Sequence, residues 1–384
     1  MVNKSNAKSK LKLNPCDFTL CITVALLLAL GIVMVLSASS PSSLSVTGSS
    51  YTYVIKQLQS AVIGIALMII ISRVDYKVYR NKKIYLSAYV ISVLILFLVL
   101  VPKIGIEVNN AKRWVVLGIQ FQPSEITKIG LIIFFAAILT ENKDKLKKLS
   151  TGFFAPLGLC LIPVLVLIVV QNHLSVSIVI ISVVSIMMLM AGSRLLHFAT
   201  FGSIGAVVGA IGLYVMSKLS SQASFRIARI TSFLNPWADA KGTGWQVIQS
   251  LYAIGSGGLF GVGLGESKQK YLYIPEPHND FIFAVLAEEL GFVGCVAVIA
   301  LFAIFIWRGI LIAMKAPDMF GSLLAIGITS LVGIQAIINI AVVTSSIPNT
   351  GMPLPFFSYG GTSLVILLCA VGILLNISRQ SKKV

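Results

Sequence analysis

The chain has 384 residues, of which 57% are hydrophobic and only 11% are charged, and its formal net charge is +17. A soluble domain carries about 25% charged residues, and the mean hydropathy here is +0.94. These values exclude a soluble enzyme with a single anchor and indicate a polytopic membrane protein. The five cysteines lie in or beside apolar runs without a CxxC pair, so neither a disulfide framework nor a zinc site is indicated.

About ten apolar runs are long enough to cross a membrane, since about 20 apolar residues span the hydrocarbon as a helix. They lie near residues 18–38, 54–72, 84–102, 124–140, 152–170, 174–192, 195–216, 281–307, 319–344 and 358–377. Membrane-embedded backbone must satisfy its own hydrogen bonds, so helices are predicted there and β-structure is not. The predicted architecture is all-α: one transmembrane domain (18–379) between a basic N-terminal tail (1–17) and a short C-terminal tail (380–384).

Lys and Arg predict the orientation of the spans, because cytoplasmic loops carry an excess of both residues. These residues gather in the N-terminal tail, in loops 73–83 and 143–148, near 308–315 and in the C-terminal tail. With an even number of spans, both termini are predicted to be cytoplasmic, with a large extracellular loop (about 217–280) between the seventh and eighth helices. The positive charge is therefore a topology signal, and no nucleic-acid partner is expected.

Two outer loops, 103–123 and about 217–280, hold basic residues against this rule. Their basic residues include Lys112 and Arg113 in the first loop, and Arg226, Arg229, Lys241, Lys268 and Lys270 in the second. Cations on the outer face oppose the topology rule. An anionic ligand at the outer membrane surface is expected to account for them.

The stretch "YIPEPHNDFIFAVLAEELG", residues 273–291, places His278, Asn279 and Asp280 directly before an apolar run. An Asp at that point suits a helix N-cap, and it also suits a general base; from the residues alone both interpretations stay open. Its two neighbours could orient a substrate. Glu288 and Glu289 lie further in and point about 100° apart on a helix, so one is expected to face a partner cation and the other a cavity, or both to form structural pairs.

The second polar stretch is "NNAKRWVVLGIQFQPSEITK", residues 109–128. Arg113 beside Trp114 suits either an interfacial anchor or a ligand-binding group. Pro123 is typical of a helix start. Glu125 and Lys128 are spaced i,i+3 and can pair on one helix face, in a structural or a functional role.

Two glycine-rich stretches complete the polar segments. Residues 242–267 lack the nucleotide-binding glycine motifs, and 245–254 have the pattern of a short amphipathic helix lying in the membrane interface. Residues 349–364, "NTGMPLPFFSYGGTSL", place several Pro and Gly residues at the start of the last span. Ser358 there could bind a ligand or its own helix.

These stretches together resemble the SEDS proteins (shape, elongation, division and sporulation), whose branches include FtsW, RodA and SpoVE. The most specific parts are "QPSE" at 122–125, the segment 235–291 and "GMPLPFFSYGG" at 351–361. The segment "SKQKYLYIPEPHNDF" is more similar to the division and sporulation branch than to the elongation branch. One turn departs from the family: "QNHLSVS", residues 171–177, has His173 and Val176 where the family often has Asp and Thr, and Asn110 also stands where Gly is common. No role is assigned to that turn.

The resemblance implies a ten-helix peptidoglycan glycosyltransferase that joins lipid II units at the outer face of the bacterial cytoplasmic membrane. It also implies a class B penicillin-binding protein as transpeptidase partner, beside other division or elongation membrane proteins. The family's essential acid falls on Asp280, the arginine of its "RW" motif on Arg113, and its fourth-helix pair on Glu125 and Lys128.

The expected reaction is inverting glycosyl transfer, with Asp280 as general base and basic residues around the pyrophosphate leaving group. The predicted substrate-binding residues are Lys112, Arg113, Glu125, Lys128, Arg226, Arg229, Lys241, Lys268, Lys270, His278, Asn279 and Ser358. A divalent cation, Mg²⁺ or Mn²⁺, could share the neutralisation, although the sequence shows no dedicated cage, and no organic cofactor is expected. A lipid II flippase and a non-catalytic scaffold of the division machinery are the alternatives.

Overall fold

The computed structural model describes residues 15–108, 111–203, 205, 232–242, 244–271 and 273–381. Helices account for most of this part of the chain. They are α1 (Phe18–Thr47), α2 (Thr52–Arg73), α3 (Lys82–Leu94), α4 (Pro123–Glu141), α5 (Ala155–Val169), α6 (Leu174–Ala191), α7 (Trp245–Gly257), α8 (Ile282–Lys315), α9 (Met319–Val343) and α10 (Gly361–Gln380). A 3-10 turn, Ile95–Leu100, extends α3, and a π-helical turn, Ser150–Phe154, leads into α5.

Within the described residues, 9 helices are long and apolar enough to cross a membrane. The predicted multi-pass, essentially all-helical membrane fold is confirmed. Of the predicted seventh span, residues 195–203 are helical, and most of the rest lies outside the described residues. The side of the membrane on which each terminus lies stays a prediction.

Helix α4 lies at the centre of the bundle and packs against α3, α6 and α9. Every residue from Leu131 to Ala137 is buried. Ionisable residues within a membrane span face the interior of the bundle, so Glu125 and Lys128 in the first turns of α4 favour this central position. Both residues are buried inside the bundle.

A small antiparallel sheet lies between α3 and α4, where the sequence analysis predicted only an outer loop. Its strands are β1 (Gly105–Val108), β2 (Ala111–Leu117) and β3 (Ile119–Phe121), in the order β1-β2-β3. Alternate side chains of a strand point to opposite faces. Accordingly Lys112 is exposed while its neighbour Arg113 is partly buried.

Helix α8 is interrupted at Gly291, where the sequence analysis predicted one continuous span. Gly291 has φ 66° and ψ −165°, a conformation that only glycine adopts readily. The preceding carbonyls of Glu288 and Glu289 accept hydrogen bonds from Val262 and Gly263, at 3.0 and 3.1 Å. Buried backbone groups need such partners, so the loop after α7 is docked into the break and fixes the short helical segment that follows Asp280.

Candidate active site

The backbone of residues 278–280 is fixed by hydrogen bonds from two other parts of the chain. The His278 carbonyl accepts from the Tyr359 N–H (2.9 Å), and the Asn279 carbonyl accepts from the Ser358 hydroxyl (2.7 Å). The Asp280 carbonyl accepts from the Asn339 side-chain amide (2.7 Å). Asn339 is fully buried in α9 and also donates to the Met352 carbonyl, at 2.6 Å. The loop that carries Asp280 is therefore held in one position on the bundle.

The Asp280 side chain is partly exposed and lies against Gly351. A Cβ atom at Gly351 would come within 3.2 Å of Asp280 Oδ2. The N-cap position of α8 is Phe281, which makes no side-chain cap bond. Asp280 lies one residue before it and so does not itself occupy the N-cap position.

We expect Gly351→Ala to lower the polymerisation rate at least tenfold while leaving the fold intact. Gly351 has φ +63°, which strains a residue with a Cβ atom, and the new methyl group would displace the Asp280 carboxylate. A displacement of about 1 Å at a reacting group can cost about 10²-fold in rate. Steady-state kinetics beside the thermal midpoint measure both effects. Gly48→Ala is the matched control, since Gly48 also has positive φ but open space around it; equal losses in the two variants would contradict the placement.

The His278 ring is buried and packs against aromatic side chains rather than facing the outer surface. It stacks on Tyr53 of α2 at a centroid distance of 4.9 Å and meets Tyr359 edge-on at 5.7 Å. Burial lowers the pKa of His278 to about 4, so the ring is neutral at physiological pH. Asn279 donates its side-chain amide to Glu276 at 2.8 Å.

The buried imidazole predicts a loss of stability in mild acid. The pKa of His278 is about 4 in the folded chain against 6.5 for an ordinary histidine. Between these values the unfolded chain binds a proton that the folded chain does not, so the free energy of unfolding falls as the pH drops from 6.5 towards 4. We expect His278→Phe, which keeps the stack on Tyr53, to reduce the difference between thermal midpoints at pH 7.5 and pH 5. An unchanged difference would show that other groups cause it.

Arg113 binds the turn between α5 and α6. Its Nε donates to the Gln171 carbonyl at 3.2 Å and its terminal nitrogen donates to the Asn172 carbonyl at 2.6 Å. In the first turn of α6, Ser175 donates its hydroxyl to the Thr350 carbonyl, directly before Gly351. Residues 171–175, part of the stretch 171–177 to which no role was assigned from the sequence, therefore connect β2 with the segment that lies against Asp280.

Glu125 and Lys128 form the predicted pair on α4, with Nζ 2.8 Å from Oε1. Only 2% of the Lys128 side chain and 11% of the Glu125 side chain are exposed. Beside Lys128 is a small cavity whose other walls are apolar: Leu131, Ile132, Ile180, Val183, Val184 and Leu331. The prediction of an ion pair is confirmed, and the pair lies inside the bundle.

Lys270 is buried within the bundle and pairs with an acid of α8. Its Nζ lies 3.0 Å from Glu289 Oε1 and 3.0 Å from Ser37 Oγ of α1, and it also donates to the Gly265 carbonyl. The expectation that one carboxylate of α8 faces a cation is confirmed by Glu289. Lys270 is predicted from the sequence to bind the pyrophosphate, but its ammonium group already has these three partners.

Glu288 faces the same loop and not a cavity, so the expectation of a cavity is wrong. Its carboxylate accepts from the Ser267 hydroxyl at 2.5 Å and from the Lys268 N–H at 2.9 Å. Both carboxylate oxygens of Glu288 are therefore hydrogen-bonded. The loop 265–270 lies across the adjacent side chains of Glu288 and Glu289, so it contacts both carboxylates. The two acids fix that loop on α8.

Lys112, Lys241 and Lys268 have exposed side chains, while Arg226 and Arg229 lie outside the described residues. Within the described ranges, no group of three or more His, Cys, Asp or Glu residues could hold a metal ion. No protein cage for a divalent cation is identified there, and no catalytic step is derived through one.

The model of one protein family, FtsW, RodA and SpoVE, described as "Cell cycle protein", matches residues 18–383. The chain belongs to the FtsW, RodA and SpoVE family. A family relative from Bacillus subtilis (strain 168), "Stage V sporulation protein E", is 45% identical over 95% of this chain and 98% of that protein. The "Probable peptidoglycan glycosyltransferase FtsW" of Trichlorobacter lovleyi is 42% identical over 95% of this chain and 94% of that protein.

Solved structures of the FtsW, RodA and SpoVE family share the fold. The rod shape determining protein RodA of Thermus thermophilus matches with a TM-score of 0.66 and 27% identity, over 96% of this chain and 98% of that one. A chain from a peptidoglycan synthase complex, described as coordinating polymerization and crosslinking, matches with a TM-score of 0.76 and 29% identity, over 95% and 98%. With FtsW and SpoVE relatives at 42 and 45% identity, the preference for the division and sporulation branch is confirmed.

Proposed function

We propose that this peptidoglycan glycosyltransferase polymerises lipid II at the outer face of the membrane, with Asp280 as general base. The enzyme class is confirmed by relatives named as peptidoglycan glycosyltransferases at about 40% identity over nearly the whole chain. The substrate and the role of each residue are our proposal. One observation carries it: three consecutive carbonyls of residues 278–280 are each bound by a separate donor, while the Asp280 carboxylate stays partly exposed.

In this mechanism Asp280 accepts the proton of the acceptor 4-hydroxyl as that oxygen attacks the anomeric carbon of the donor. A base within hydrogen-bond reach contributes about 10²–10⁴-fold. The fixed backbone supports this role because it removes the need to order the loop during the reaction. A pyrophosphate leaving group needs no general acid, so a second carboxylate is not required at the site.

The basic residues of the outer segments neutralise the pyrophosphate in this proposal. Hydrogen bonds to the Gln171 and Asn172 carbonyls fix the side chain of Arg113. Its guanidinium group therefore lies beside the turn that is hydrogen-bonded to the segment before Gly351. The exposed Lys112, Lys241 and Lys268 supply further positive charge. Electrostatic stabilisation of a leaving group by preplaced cations is a large catalytic term. Mg²⁺ or Mn²⁺ carried by the substrate phosphates would supply additional charge of the same kind.

A class B penicillin-binding protein is the proposed partner, as transpeptidase for the new strand. Support comes from the structural likeness to a chain of a peptidoglycan synthase complex that coordinates polymerization and crosslinking, at a TM-score of 0.76. Other membrane proteins of division or elongation are further proposed partners. Co-purification of the chain with its own class B protein is the measurement that tests the pairing.

The polymerase proposal is tested against the flippase alternative in proteoliposomes. Charge inside the bundle would favour a flippase. However, Lys128 is paired with Glu125 and Lys270 with Glu289, so these charges are accounted for by structural ion pairs. We expect purified protein to convert lipid II into glycan strands and to leave the rate of fluorescent lipid II translocation at the level of empty vesicles. Translocation without strand formation would overturn the proposal, and loss of growth in a variant that still binds its partners would exclude a pure scaffold.

A further inference from the structure

His173 is a buried histidine on the turn before α6, with only 5% of its surface exposed. Its Nε2 lies 3.0 Å from the side-chain amide nitrogen of Gln122, directly before α4. An amide nitrogen only donates, so Nε2 of His173 accepts this bond. The ring proton of the neutral imidazole is therefore on Nδ1.

That Nδ1–H group is buried and has no hydrogen-bond partner in the structure. Two further buried polar atoms without a partner belong to the same turn and to the segment bound to it: Gln171 Oε1 and Thr350 Oγ1. Buried polar groups in native proteins are hydrogen-bonded as a rule, and each exception calls for an explanation such as strain, a catalytic role, or a bound water or ion. Of these three groups, the His173 Nδ1–H and the Thr350 hydroxyl donate, whereas Gln171 Oε1 only accepts. Two donors on connected segments therefore lack an acceptor, which an oxygen of a polar ligand would supply.

The charges around the ring determine what kind of ligand it can bind. Burial, followed by the positive charges of Arg113 and Lys128, lowers the pKa of His173, and Glu125 is paired with Lys128 on the same helix. The imidazole is thus a neutral donor in a region of positive charge. Such a donor suits an oxygen of an anionic group, because both the N–H dipole and the neighbouring cations favour negative charge.

We infer that His173 is a substrate-binding residue whose Nδ1–H donates to a pyrophosphate oxygen of the lipid-linked substrate. The inference rests on the proposed function, since it assigns this turn to the leaving group of that reaction. The position is consistent with it: Arg113 binds carbonyls of the turn, and Ser175 binds the Thr350 carbonyl next to Gly351 and hence to Asp280. The leaving group would then lie between the turn and the base.

Two substitutions separate this role from a structural one. His173→Asn keeps an N–H donor near the Nδ1 position but loses the contact with Gln122. His173→Gln keeps a polar group near the Nε2 position, and so the contact with Gln122, but loses the donor at Nδ1. If the ring only holds α4 against the turn, His173→Gln is the milder change; if Nδ1–H binds substrate, His173→Asn is the milder one.

We expect His173→Gln to raise the KM for lipid II about tenfold, the size of one hydrogen bond to a charged group. His173→Asn should stay within about threefold of the parent, with kcat changed less than KM in both. Equilibrium binding of lipid II in detergent, which needs no turnover, should give the same order. A KM or binding constant that is worse for His173→Asn than for His173→Gln, or equal in both, overturns the inference. If the parent protein binds lipid II with this order among its variants but makes no glycan, the proposed function fails, while His173 remains a binding residue for the pyrophosphate of lipid II.

Discussion

Replacing Asp280 with Asn is expected to lower the rate of glycan polymerisation by about 10²–10⁴-fold, the contribution of a positioned general base. Asn keeps the size and hydrogen-bonding shape of Asp but cannot accept the proton of the attacking hydroxyl. The carbonyl of residue 280 binds Asn339 through the backbone, so the substitution leaves that contact in place. The rate is measured with purified protein and its partner, given lipid II.

Asp280→Glu should also lose most of the activity, because the backbone of residues 278–280 is fixed by three donors. On this fixed backbone the longer Glu side chain places its carboxylate too far forward to accept the proton of the acceptor hydroxyl. The loop cannot move to correct that distance. The matched control is Glu266→Gln, which removes an exposed carboxylate of the same outer segment. Asp280→Asn with the activity of this control would contradict the assignment of the base.

Replacing Lys270 with Met is expected to destabilise the protein by about 3–5 kcal/mol, because it leaves the Glu289 carboxylate buried without its cation. Glu289 is 1% exposed and its Oε2 already lacks a hydrogen-bond partner. The loss of Lys270 also releases the contacts to Ser37 and the Gly265 carbonyl. The free energy of unfolding in detergent measures the effect.

A double replacement, Lys270→Met with Glu289→Gln, should recover part of the loss, since no unpaired charge is then buried. Lys268→Met is the matched control, because Lys268 is exposed and lies two residues away; a surface change of this kind is worth within about 0.5 kcal/mol. Similar free energies for the two single lysine variants would show that the buried pair is not a stabilising contact.

The spans could be predicted from the sequence because hydropathy is a local property of about 20 residues. The break at Gly291 could not, because the run around it is apolar throughout and the conformation depends on a loop that docks from 258–263. The sheet at 105–121 was also missed, since the strands are short and one contains the basic residues that suggested a binding loop. Long apolar runs therefore predicted the spans, whereas the sequences of the short segments between them did not predict the backbone structure there.

Within the candidate site, Asp280, Arg113 and the Glu125–Lys128 pair could be proposed from residue type, position and resemblance. The contacts that position them could not, because they join residues far apart in the chain, such as Ser358 to Asn279 and Ser175 to Thr350. Asn339 carried one available signal: an amide inside an apolar span is a functional candidate by default. The burial of Lys270 against Glu289 could not be predicted, since counting basic residues in a loop does not reveal which of them meet a buried acid.

Polymerisation of lipid II with Asp280 as general base is best tested by product analysis with purified protein and lipid II as the only sugar donor. The reaction is resolved by strand length, with the class B partner absent in one sample and present in another. We expect a ladder of glycan strands from the parent protein with its partner present and none from Asp280→Asn. Lipid II left unreacted by the parent protein in both samples, or an equal ladder from Asp280→Asn, would contradict it.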